Sequence, residues 1–280
     1  MTAAPTGGTH VHEAGFFRSD SEFGRLIVEF VDSAVAAGEP VIVGFDRRKN
    51  DLIRSSIADD TGVTFVGDSD HYGSPARAIG NYQRQFEKHI AEGATRIRVT
   101  GEIPTPATGG SFTGWDRYEA GINTLWRDLP VWSRCVYDAT GLPAEVHDVV
   151  VRAHPRLVGP DGRVTRNDGF EDPERFAFLP VPPDPLEAAA PTERLVGCSP
   201  GAARNAIREL GLGHVDPAAL DDLVYAASEA VSNAHQYGRP PVTVRIWRTA
   251  PRMLVTVHDT GAGPADRSVC LLYTSDAADE

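Results

Sequence analysis

Lysine is almost missing from this chain of 280 residues, which has only Lys49 and Lys88. Neither follows a glycine, so the phosphate-cradling pattern G-x-x-x-x-G-K-[ST] is absent, and a nucleotide would need another kind of site. Cysteine is scarce too. Cys135, Cys198 and Cys270 stand far apart with no C-x-x-C pair, so neither a disulfide framework nor a zinc site is suggested. A reduced compartment fits this usage. No apolar run approaches the ~18 residues that a membrane helix needs. The first ten residues, MTAAPTGGTH, carry no cationic side chain and lead into no apolar stretch, unlike a signal peptide, so the sequence predicts a cytoplasmic protein. An excess of positive charge is also lacking. The formal net charge of -12 repels a polyanion, so direct contact with nucleic acid is not expected.

At this length the chain has room for about two domains. The segment from Pro180 to Pro191, PVPPDPLEAAAP, holds five of the 21 prolines and reads as a linker. Before it, short apolar runs alternate with helical patterns, which predicts an α/β domain with a mainly parallel sheet. The runs are Pro40 to Phe45, Val63 to Val66, Arg96 to Thr100 and Val131 to Tyr137. The first helix starts at a Ser19/Glu22 capping box, repeats apolar residues at three and four from Phe23 to Val35, and stops at Gly38. Further helices are predicted from Ala76 to Glu92, Trp115 to Leu129 and Ala144 to Ala153. After the linker the order is helix (Pro200 to Leu210), helix (Pro217 to Tyr237), two strands of period two (Val242 to Trp247 and Met253 to His258), then a glycine loop.

On the second of these helices Leu220, Leu223, Val224, Ala227, Val231 and Ala234 form a core stripe, while Glu229 and Asn233, four apart, share another face. By themselves these two read as solvated residues. Asp259 follows the last strand within His258-Asp-Thr-Gly-Ala-Gly263, where alternation places a carboxylate at the end of a buried face and in need of a donor. An adenine amino group would serve, with Gly261 and Gly263 letting the backbone come close. A simple D-x-G turn is the plain alternative.

Glu229-Ala-Val-Ser-Asn233-Ala resembles the N-box, and Asp259-Thr-Gly261-Ala-Gly263 the first glycine box, of the ATPase superfamily joining gyrase, heat-shock chaperones and histidine kinases. The fuller pattern, Ser228 to Gly238, most resembles the anti-sigma-factor serine kinases. This implies an α+β sandwich domain over residues 192–267 that binds ATP and Mg²⁺. Asn233 would hold the metal, Glu229 would act as general base, and Asp259, Gly261 and Gly263 would bind the nucleotide. The implied partners are a sigma factor and its anti-sigma antagonist, phosphorylated on serine, and a homodimer is left open. The one His-Glu pair, His12-Glu13, has Phe17 where a phosphoacceptor helix would have proline, so a histidine kinase is not implied. A second, G-x-G-[LI] glycine box is missing. The sandwich is therefore expected to be incomplete, residues 268–280 to be a non-native tail, and the chain as given to bind ATP weakly and to transfer phosphate hardly at all. The competing reading is a non-catalytic regulator whose ATPase-like part only docks a protein.

Residues 1–185, followed by the end of the linker at 186–191, resemble a MEDS-type sensory domain. The resemblance rests on His12, the helix to Gly38, PVIVGF, Val99-Thr-Gly-Glu102, Cys135-Val-Tyr-Asp138 and His154-Pro155. It implies a P-loop-ATPase-like fold without the phosphate loop, in which DRRKN follows PVIVGF, and a small-molecule signal. Glu102 and Asp138 follow strand-like runs, where ligands gather in parallel sheets; they also read as polar residues opening loops. Cys135 reads as a small core residue with no neighbouring base. His10 and His12 fall in a stretch expected to be a flexible terminus, and no metal beyond Mg²⁺ is expected.

Overall fold

The computed structural model describes residues 10–67, 72, 75–110, 112, 114–173, 183–250 and 252–262. The chain divides into two compact units, residues 1–179 and 180–280, with the boundary at the start of the proline-rich stretch.

The amino-terminal unit is built on a seven-stranded sheet in the order β3-β2-β4-β5-β1-β6-β7. The strands are β1 (Val11–Phe17), β2 (Val41–Phe45), β3 (Val63–Gly67), β4 (Ile97–Gly101), β5 (Val131–Asp138), β6 (Arg156–Val158) and β7 (Val164–Arg166). All neighbours run parallel except β6 and β7, which form a hairpin. Helices α1 (Asp20–Ala36), α2 (Arg47–Ser56), α3 (Pro75–Ala91), α4 (Trp115–Leu125) and α5 (Ala144–Ala153) connect the strands. β2 and β4 are buried along their whole length, as expected where helices cover both faces of a parallel sheet.

Helix α1 begins as its sequence predicts. Ser19 Oγ accepts from the Glu22 amide at 3.2 Å, but Glu22 bonds the Arg18 amide at 2.7 Å, one residue before the position a capping box would use. Gly38 ends the helix at φ 69°, where a side chain would be strained. Phe23, Leu26, Ile27 and Val31 of α1 pack with Val41, Val43 and Phe45 of β2 in one buried cluster.

The carboxy-terminal unit has a three-stranded antiparallel sheet, β10-β9-β8, from β8 (Glu193–Val196), β9 (Thr243–Thr249) and β10 (Arg252–His258). Helices α6 (Pro200–Gly211) and α7 (Pro217–Tyr237) pack on it. The stripe anticipated on α7 is the core: Leu220, Val224, Ala227, Val231 and Ala234 are buried with Ala203 and Ile207 of α6 and Val244 and Ile246 of β9. Among the described residues no helix is long and apolar enough to cross a membrane. Gly263, residues 180–182 of the linker and the tail from 268 to 280 lie outside them.

Candidate functional site

In the amino-terminal sheet the chain leaves β2 outward to β3 but leaves β4 the other way, to β5. A parallel sheet opens a ligand crevice at such a reversal, beyond the carboxyl ends of the strands. A cleft of ≈ 380 Å³ lies there, lined by Asp46 after β2, Glu102 after β4, Asp138 at the end of β5, and Lys49, Tyr72 and Pro104. Glu102 and Asp138 are therefore neighbours. The Asp138 amide donates to Glu102 Oε1 at 3.2 Å, and Lys49 forms a buried ion pair with Glu102 and lies 3.5 Å from Asp46. Burial lifts the Glu102 carboxyl above its usual range, against the opposing pull of Lys49. The start of α2, where a phosphate loop would offer its amides, is occupied by the chain itself: Asp46 Oδ1 accepts from the Lys49 amide at 2.8 Å. A helix start whose donors are met by its own carboxylate is a poor phosphate cradle.

In the carboxy-terminal unit α7 carries Glu229 and Asn233 one turn apart, both half-buried. Burial raises the Glu229 carboxyl, and Arg204 on α6 pulls it down less strongly. Asp259 stands just past β10 and reaches the end of α7: its Oδ1 accepts from the Gly261 amide at 2.6 Å and the Arg239 amide at 3.1 Å. Those amides, Gly261 first, hold the carboxyl below its usual range. Gly238 and Gly261 are needed at this junction. A Cβ on Gly238 would collide with Ala234 O and Asp259, and one on Gly261 would lie 2.8 Å from Asp259 Oδ1. Asn233 precedes Gly238 by five residues, about 7.5 Å along the helix axis. Asn233 and Asp259 are thus brought to the same end of α7.

Residues 11–155 match the family model of MEDS, the MEthanogen/methylotroph, DcmR Sensory domain, from the first residue of β1 to just beyond α5. The chain belongs to the MEDS family. Residues 199–271 match a histidine kinase-like ATPase domain, so a sensory MEDS domain precedes an ATPase-like one. No curated protein matches the chain.

The MEDS domain holds the main surprise for the sequence reading. The stretch with His10 and His12 is no flexible terminus: Val11–Phe17 is β1, paired along all seven residues with β5, and His12 is 1% exposed. Nor is Cys135 without a neighbouring base, because its Sγ lies 3.6 Å from His12 Nε2. Polar residues disguised the strand. Glu13 is buried against the Arg134 guanidinium at 2.8 Å, and His12 against Glu119 at 3.3 Å. Burial, with His154 next in effect, pushes the His12 imidazole down to about 4, and burial pushes the Cys135 thiol up. Both act toward neutral side chains at neutral pH. Alternation itself was available as a signal: His12, Ala14 and Phe16 fall on one face, and Val11, Glu13 and Phe17 on the other.

Proposed function

We propose that the chain is a regulator in which the MEDS domain receives a small-molecule signal and controls an ATP-dependent serine kinase of a sigma-factor switch. One observation carries this reading: Asp259 meets the chain just past the carboxyl end of α7, the helix that presents Asn233 in its last turns and Glu229 one turn earlier. The Asn233 amide oxygen is a hard ligand suited to Mg²⁺, which would offset charge on the phosphates of ATP. Glu229, with its carboxyl raised by burial, is suited to take the proton of an attacking serine hydroxyl. Asp259 would accept from the adenine amino group, with Gly261 and Gly263 leaving room for the base. The partners on this reading are a sigma factor and the antagonist protein that carries the serine. The signal would enter the cleft between Asp46, Glu102 and Asp138.

A second reading has its own support. Asp259 Oδ1 already accepts two backbone amides, as in a plain turn, which favours a non-catalytic domain that only docks a protein. Nucleotide binding separates the two. Saturation-transfer NMR, which detects weak ligands, should show Mg²⁺-dependent ATP contact that Asn233→Ala abolishes and Glu229→Gln keeps. ATP contact that is the same in Asn233→Ala as in the wild type would remove the metal role and favour docking.

A further inference from the structure

The geometry points to a closed zinc site inside the MEDS domain, formed by His12 of β1, Glu119 of α4, Cys135 of β5 and His154 after α5. One ligand atom from each of these side chains lies within 4.8 Å of the others. His12 Nε2 and His154 Nε2 are each 3.3 Å from Glu119 Oε2, and Cys135 Sγ is 3.6 Å from His12 Nε2 and 3.9 Å from Glu119 Oε2. Four ligands held about 2.0–2.3 Å from a tetrahedral zinc are spaced by roughly 3.3–3.8 Å, which brackets most of these separations.

The proton inventory is the stronger argument. Asn123 Nδ2 donates to the carbonyl oxygens of Glu119, Ala120 and Ala153, which fixes its Oδ1 as an acceptor toward His12 Nδ1 at 3.1 Å. His12 therefore carries its proton on Nδ1. His154 does the same, because its Nδ1 meets the Val150 carbonyl at 2.7 Å. In that neutral tautomer each Nε2 turns a bare lone pair toward a carboxylate oxygen. His154 Nε2 is fully buried, and its polar neighbour at the site is Glu119 Oε2 at 3.3 Å. Only the Cys135 thiol has a proton to share among the three acceptors. Tyr137 O–H donates to the other carboxylate oxygen, Oε1, at 2.8 Å.

Convergent lone pairs in a dry interior repel and lose their hydration without compensation. A divalent ion resolves this arrangement. Two neutral imidazoles, one carboxylate and one thiolate carry two negative charges, which Zn²⁺ neutralises, and the thiol proton leaves to solvent as the sulfur binds. Each imidazole has its outer nitrogen on an oxygen acceptor, the usual way a metal-bound histidine is oriented. Mixed nitrogen, oxygen and sulfur donors suit zinc rather than Mg²⁺ or Ca²⁺, and with four protein ligands the site is closed.

The test uses the full chain, made in cells grown with cobalt in place of zinc. One Co²⁺ per chain is expected, with thiolate-to-cobalt charge-transfer absorption that Cys135→Ser abolishes and Cys198→Ser leaves intact. His154→Gln should weaken retention against a chelator by more than the roughly tenfold that loss of a ligand's hydrogen-bond partner costs. A wild-type chain without bound cobalt, or a charge-transfer band that survives Cys135→Ser, would overturn the site. Should either variant fail to fold by near-ultraviolet circular dichroism, X-ray absorption on the zinc-grown wild type decides. One sulfur and two imidazoles around the metal support the assignment, and a shell of oxygen and nitrogen alone defeats it.

Discussion

Replacing Arg134 by methionine should destabilise the amino-terminal unit by about 3–5 kcal/mol in urea unfolding, because it strands a carboxylate in the core. The guanidinium donates through Nε and Nη2 to Glu13 Oε2 and through Nη1 to the Leu26 carbonyl, so three bonds go at once. Adding Glu13→Leu to that variant should recover much of the loss, since two apolar groups have no solvation to regain. Asp259 gives a prediction in pH. Its folded pKa is lowered by the amides of Gly261 and Arg239, so the stability it adds is present above the unfolded value of about 3.9 and vanishes as pH falls through the folded value. Asp259→Asn should therefore melt below the wild type at pH 7 and converge with it in acid. A gap in melting temperature that widens toward low pH would contradict this account.

Helix α7 depends on its start as much as on its stripe. Asp216 Oδ1 accepts from the amides of Ala218 and Ala219, and Pro217 opens the helix where a missing N–H does no harm. Asp216→Ala should cost about 1 kcal/mol in thermal unfolding and leave the helix otherwise in place. The elements readable from sequence share a property: local chemistry and tertiary burial agree. PVIVGF, the capped α1 and the striped α7 all read as what they are. Those that escaped are of another sort. β1 hides a buried ion pair and a buried histidine behind a polar look, and β8, Glu193–Val196, is largely exposed and gains its strand form from pairing with β9. Helix α2, RRKNDLIRSS, is too polar to show a stripe, and its Asp46 cap is the one local cue. The helix anticipated to Leu129 ends at Leu125, and Trp126 closes it. At the candidate site Glu229, Asn233 and Asp259 were visible because a spacing linked them. Glu119 was not, because only the fold brings it to His12, His154 and Cys135.

Across the whole molecule the two units keep separate cores: one cluster of buried residues spans Phe17 to Val158 and another Ala203 to Ile246. A fragment ending at Leu179 should accordingly fold alone, with cooperative unfolding by circular dichroism and resistance to limited proteolysis. The order of the sheet adds a temporal consequence. β1 is the first strand of the described chain, yet its partners are β5 and β6, with His12 opposite Ser133 and Glu13 opposite Arg156. On a ribosome adding about 5–20 residues each second, the leading strand waits roughly 6–24 s before its nearer neighbour exists. During that interval an unpaired strand ending in Gly15-Phe16-Phe17 is exposed to whatever captures nascent chains, and the β6–β7 hairpin, made last, completes the sheet at its edge.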